Sequence, residues 1–145
     1  MKANVRRLGP IDAAAASRLS IAFHKGPVSE AYLGKLLADP ANLLLVAEVA
    51  DEPVGFAWAH WLARLGQERQ QLFLYEVEVD GRHRRGGVGS ALMQVLLREA
   101  SMRESDLFVF STHSNAAAVL FYKSLGGQVK NGDDLLLVYP YNRDT

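Results

Sequence analysis

The chain has 145 residues, 49% of them hydrophobic, with 16 basic and 16 acidic side chains and no cysteine. This suits one domain spanning residues 1–145 with a proper core, while a formal charge of zero argues against a general nucleic-acid binder. The missing thiols exclude a disulfide framework, a thiolate metal site and a cysteine nucleophile.

The N-terminus lacks the apolar stretch of a signal peptide, and no uninterrupted apolar run reaches the length of a membrane span. The expectation is a cytoplasmic protein with no membrane partner.

In chain order, residues 4–8 read as a short strand broken by Gly9-Pro10. Asp12 can cap an alanine-rich helix that Gly26-Pro27 ends. Ser29 followed by Glu30 opens a second helix, EAYLGKLLA, with Tyr32, Leu33, Leu36 and Leu37 on one face. Asp39-Pro40 stops it. Residues 43–49 and 54–62 read as a hairpin around Asp51-Glu52-Pro53, and 64–71 as a polar loop.

Residues 72–79 form the central strand, followed by a basic, glycine-rich turn and a helix from about Val88 to Met102. Asp106 to Thr112 is another strand. Ser114-Asn115 caps a further helix terminated by Gly126-Gly127. Two closing strands, near 127–130 and 135–141, flank the turn residues Asn131-Gly132-Asp133-Asp134. The order β-α-α-β-β-β-α-β-α-β-β predicts an α/β (α+β) fold with a mixed, mostly antiparallel sheet of six to seven strands and helices on both faces.

Residues 72–97 organise the rest. A strand feeding a glycine-rich turn at a helix start is a device for holding phosphate, because the first N–H groups of a helix have no intrahelical partner and carry partial positive charge. Arg82, Arg84 and Arg85 add fixed charge, although arginines at that end oppose the helix macrodipole and so ask for a polyanion. A solvated basic turn is the plainer alternative. Neither the P-loop pattern nor the G-x-G-x-x-G fingerprint is present.

The segment Val77 to Ser90, VEVDGRHRRGGVGS, resembles the acetyl-coenzyme A signature of the GCN5-related N-acetyltransferases (GNAT): an alternating strand, a short turn, then R/Q-x-x-G-x-G/A at a helix start. The family's second motif is similar to Asn115, Ala118, Phe121, Tyr122 and Leu125-Gly126. Gly81 stands where the family commonly has proline.

The resemblance implies a single GNAT domain with acetyl-CoA as co-substrate; His60, His83 and His113 are isolated, with no pair at helical metal-ligand spacing, so no metal is expected. Main-chain groups of Val77 and Val79 would pair with the pantetheine arm. Arg84 lies in the motif, and backbone N–H groups of Arg85, Gly86, Gly87, Val88, Gly89 and Ser90 would hold the diphosphate. Asn115 would bind the pantetheine side, and Tyr122 would sit near the thioester sulfur as an acid. By itself, a tyrosine on that apolar helix would read as core.

Glu76 and Glu78 share a strand face by alternation unless a bulge between them reverses the parity. Burying such a pair is costly, so that face should meet water or a cationic ligand. A salt bridge to Arg64, Arg69 or Lys123 is the structural alternative. As catalytic groups they would take the proton of an acceptor amine.

The run from Tyr75 to Ala100, with AVLFYKSLGG downstream, looks like the class I aminoglycoside 3-N-acetyltransferases of the gentamicin and fortimicin type, a resemblance that implies an antibiotic-resistance enzyme and a homodimer. Glu30, Glu76, Glu78 and His113 are candidates to bind such a polycation; the Asp133-Asp134 turn reads rather as a solvated tip. Acetylation of another small amine or of a protein amine, and a catalytically idle coenzyme A-binding module, stay open.

Overall fold

A computed structural model describes residues 2–111, 114–133 and 137–140. They fall into two compact units, Met1–Phe110 and Ser111–Thr145. In the first, five strands lie in sequence order, β1 (Asn4–Leu8), β2 (Asn42–Val49), β3 (Glu52–Ala63), β4 (Gln70–Val79) and β5 (Leu107–Val109). Neighbours β1 to β4 pair antiparallel, and β4 pairs with β5 in parallel. A parallel pair needs a crossover, and helix α3 (Val88–Met102) supplies it.

Helices α1 (Ala13–Ala22) and α2 (Glu30–Ala38) connect β1 to β2. Ser29 caps α2, its hydroxyl accepting from the N–H of Tyr32 at 3.2 Å. Leu33 and Leu37 of α2, with Ala16 and Leu19 of α1, cover Leu44 and Val46 of β2 and Phe56 of β3. Each buried leucine contributes about 1.5–3 kcal/mol. Leu36 packs at the margin of this core, whereas Tyr32, placed on the same stripe by the sequence, is exposed.

The other sheet face carries the alternate residues, including Leu43, Leu45, Ala57 and Ala59, and receives α3 through Val88, Leu92, Met93, Leu96 and Ala100. Gly55 on β3 makes the close approach possible. A Cβ there would lie 2.9 Å from Val88 Cγ1 and 3.1 Å from the Glu78 carbonyl. Gly55→Ala is therefore expected to cost about 1–3 kcal/mol by overpacking, read as a lower urea midpoint at unchanged slope.

The second unit contains helix α4 (Ala116–Ser124). Gly126, at φ +92°, closes it with a Schellman motif: Gly126 N–H donates to the Lys123 carbonyl at 3.0 Å and Gly127 N–H to that of Tyr122 at 3.0 Å.

The expectation of six to seven strands is corrected here to five among the described residues. Residues 127–130 form no strand; after the left-handed Gly126 the chain finds no pairing strand among the described residues. Of 135–141, only 137–140 lie within the described residues, and they too are irregular. Both helix-bearing faces and the order of the first nine elements are as the sequence reads.

Candidate active site

The decisive local feature is a bulge in β4. Along β3 and β4, Trp58 opposes Glu76 but Ala59 opposes Leu74, so Tyr75 is the extra residue. Without it, Leu72, Leu74, Glu76 and Glu78 would share one face. With it, Leu72 and Leu74 are buried on the α3 side, and the glutamates turn to the face of α1 and α2, beside Phe56 and Trp58. The bulge precedes both carboxylates, so Glu76 and Glu78 remain on one face.

Among the described residues of the first unit, their partner is Lys25, from the loop between α1 and α2, rather than Arg64 or Arg69. Its Nζ lies 3.1 Å from Glu76 Oε2 and also pairs with Glu78 Oε2. The ammonium sits 5.9 Å from the Phe56 ring centroid, and Phe23 packs edge-on to the same ring at 5.1 Å. Hydrogen bonds to Glu78 and then Glu76 raise the Lys25 pKa above its ordinary value, so it is an ammonium at neutral pH. The cluster is partly open, with 33% of the Glu76 side chain and 40% of the Glu78 side chain exposed. Lys25 is the residue the sequence did not flag: a lone lysine between His24 and Gly26 bears no spacing that relates it to β4.

Beside this cluster, β4 has an open edge. Its pairing with β5 stops at Leu74↔Val109, so residues 75–79, including Val77 and Val79, have no strand partner on that side among the described residues. An extended chain can add there as a strand would. The Val79 carbonyl accepts from Arg84 Nε at 3.4 Å.

The edge leads into the basic turn. Asp80 N–H donates to the Val54 carbonyl and His83 N–H to the Asp80 carbonyl, both at 2.8 Å, which fixes the turn to the start of β3. The backbone N–H and then the guanidinium of Arg82 hold the Asp80 carboxyl below its usual range. This corrects the notion of three available arginines, since Asp80 neutralises Arg82. Among the described residues Arg84 and Arg85 have no carboxylate partner.

Arg85 and Gly87 lie in the left-handed region, at φ +67° and +82°, with Gly86 between them outside it. Turns of this kind can present backbone donors to an anion; the Gly86 N–H already donates to the His83 carbonyl at 3.4 Å. Gly87 is the N-cap of α3 and provides no side-chain cap, so the first-turn donors of Val88, Gly89 and Ser90 have no intrahelical acceptor. Arg85, Gly86 and Gly87 are exposed.

In the second unit, Asn115 caps α4, its Oδ1 accepting from Ala118 N–H at 3.2 Å. Tyr122 is half-buried on α4 against Phe121 at 5.4 Å, and burial raises its pKa, so the phenol is protonated across the neutral range. Glu30 is exposed in the first turn of α2, where a carboxylate suits the macrodipole. His113 and Asp134 lie outside the described residues. His60 has a structural partner, Asn42 Oδ1 at 3.0 Å from Nδ1, and burial lowers its pKa.

Residues 13–126 match the model of the acetyltransferase (GNAT) family. The chain belongs to the GNAT family. Acetyltransferases of this family use acetyl-CoA. A comparison with curated proteins found no match.

Among solved structures, an aminoglycoside acetyltransferase from an uncultured soil metagenomic sample is 25% identical over 98% of this chain and 100% of its own, with a TM-score of 0.84. A second from such a sample is 22% identical over 97% and 95%, at 0.77. A ribosomal-protein-alanine N-acetyltransferase from Brucella melitensis biovar Abortus 2308 is 20% identical over 95% and 100%, at 0.73. These neighbours agree with the GNAT fold. Among the described residues, no helix is long and apolar enough to cross a membrane.

Proposed function

We propose that this GNAT protein transfers acetyl from acetyl-CoA to a small polycationic amine, with an aminoglycoside acetylated at its 3-amine as the leading substrate. The observation that carries this reading is the pair Glu76 and Glu78, on one face beside the open edge of β4 and already gathered around an ammonium group. An aminoglycoside is rich in ammonium and hydroxyl groups, so it needs carboxylates more than an apolar pocket. Two of the structural neighbours are aminoglycoside acetyltransferases, one also solved in complex with sisomicin. The ribosomal-protein neighbour supports a protein amine as the second reading. We take the chain as one domain, since the family match spans both compact units.

The turn residues suit the diphosphate of acetyl-CoA: the alternating backbone at Arg85, Gly86 and Gly87, the uncapped donors of Val88, Gly89 and Ser90, and the charge of Arg84 and Arg85, which have no carboxylate partner among the described residues. Val77 and Val79 offer main-chain groups to the pantetheine arm, and Asn115 is assigned to the same arm by its motif.

With the thioester so placed, Glu76 takes the proton of the acceptor ammonium, through a water if needed, and Glu78 keeps the remaining charge balanced. Glu30 and His113 are secondary candidates for holding the rest of a polycation. The freed amine attacks the thioester carbonyl, with a backbone N–H near Val79 donating to the developing oxyanion. The C–S bond then breaks.

Tyr122 is assigned to the departing sulfur on the strength of its motif. A thiol of pKa about 8.5 against a phenol of about 10 makes full proton transfer uphill, and burial of Tyr122 steepens it. Its role is therefore chiefly a hydrogen bond to sulfur. Tyr122→Phe is expected to lower kcat about ten-fold, the scale of one lost hydrogen bond of about 1–1.5 kcal/mol, and leave the acetyl-CoA KM nearly unchanged; equal turnover would remove the role. The function itself is tested by acetyl-CoA consumption across aminoglycosides and polyamines, with mass spectrometry locating the modified amine. A 3-N-acetyl aminoglycoside is the expected product.

A further inference from the structure

We infer that Lys25 is a resident occupant of the acceptor-ammonium site, and that a substrate binds by displacing it. The inference rests on Glu76 and Glu78 being the amine-binding carboxylates, as proposed above, and names the device that selects among amines there. The loop carrying Lys25 is fixed through its backbone. Lys25 N–H donates to the Ser20 carbonyl at 2.8 Å and His24 N–H to that of Ile21 at 3.1 Å, while Ser20 Oγ donates to the Gly26 carbonyl at 2.7 Å. His24 and Gly26 flank it at φ +58° and +97°, a tight path that directs the lysine from the end of α1 onto β4.

The side chain is secured differently. Among the described residues its ion-pair partners are Glu76 and Glu78 alone, and 39% of its surface is exposed. A fixed backbone with a partly solvated side chain lets the ammonium swing into water without unfolding the loop.

The consequence is selective. Two ammonium groups cannot both fill the space between one pair of carboxylates, so binding is an exchange. A monoamine replaces one cation with another and gains little. A polyamine gains its further contacts over and above the exchange, so Lys25 acts as a specificity-determining residue that disfavours singly charged amines.

The test is equilibrium binding of gentamicin and of ethanolamine to the whole protein with coenzyme A present, by calorimetry, for the native chain, Lys25→Met and Lys25→Arg. Lys25→Met is expected to bind gentamicin about five-fold tighter, the scale of displacing an exposed ion pair, and ethanolamine tighter by a larger factor, so that the preference for the polyamine narrows. Lys25→Arg retains the native affinities because it keeps the competing cation, and it controls for a disturbed loop.

Unchanged or weaker gentamicin binding in Lys25→Met, absence of gentamicin binding in all three proteins, or equal tightening in Lys25→Arg would overturn the inference. Acetyl transfer is read separately as acetyl-CoA consumption. A protein that binds amines in the expected order yet acetylates none of them would overturn the acetyltransferase reading and leave the exchange standing. Where turnover is present, KM for gentamicin falls about five-fold in Lys25→Met and keeps its native value in Lys25→Arg, a split that general loosening of the loop does not produce.

Discussion

Replacing Glu76 with glutamine is expected to lower kcat/KM for the acceptor amine about 10³-fold, within the range of about 10²–10⁴ for loss of a general base. Glutamine preserves the shape of the side chain opposite Trp58 and removes only the charge and the basic oxygen. Glu78→Gln should cost less, mostly through amine KM, because one carboxylate still accepts the proton. A purely structural role predicts the opposite pattern. The ion pairs with Lys25 are partly exposed, and such pairs contribute about 0–1 kcal/mol. Melting temperature should therefore barely move while turnover collapses. Steady-state kinetics on both variants, with thermal melts alongside, decide between the two.

The second large effect concerns Gly87. Its φ of +82° lies where a β-branched side chain is severely strained, and it is the uncapped N-cap of α3. Gly87→Val is expected to raise the acetyl-CoA KM more than about ten-fold, because about 1–2 kcal/mol of left-handed strain pulls the backbone out of the alternation that aims the donors of residues 85–90. Saturating acetyl-CoA should recover most of kcat.

Gly86→Ala is the matched control. Gly86 is not left-handed, and an added Cβ would lie 3.3 Å from the His83 carbonyl, so a smaller loss is expected. Titration of acetyl-CoA at fixed amine reads both.

The two helices the sequence placed best are those with chemical punctuation at their ends. Ser29 and Asp39-Pro40 bracket α2, and Gly87 precedes α3; both helices run as read, Glu30–Ala38 and Val88–Met102. The turn after β4 was legible because the glycines and arginines sit between a strand and a helix that are each strongly patterned. Its charge balance was less legible: Asp80 and Arg82 neutralise each other only because the short helical turn at Gly81–His83 brings them together.

The bulge at Tyr75 was present in the sequence as a contradiction. Leu72, Leu74, Glu76 and Glu78 share one parity, and no single face of a regular strand suits all four. A parity break before Glu76 resolves it, but the pattern does not say at which residue. Lys25 could not be found that way, since its partnership arises from the packing of the α1–α2 loop over the sheet, a long-range consequence of the fold. The strand expected near 127–130 is absent for a related reason: strand character in QVK near 128–130 is local, whereas a strand exists only where a neighbour pairs with it.

The most direct measurement is a crystal structure of the protein with acetyl-CoA. The expected result places the diphosphate against the amides of residues 85–90, the pantetheine arm along Val77 and Val79, and the thioester carbonyl within one water of Glu76. A diphosphate bound elsewhere on the protein, or a thioester lying remote from Glu76 with the turn empty, would contradict the assignment of this face of β4 as the acetyl-transfer site.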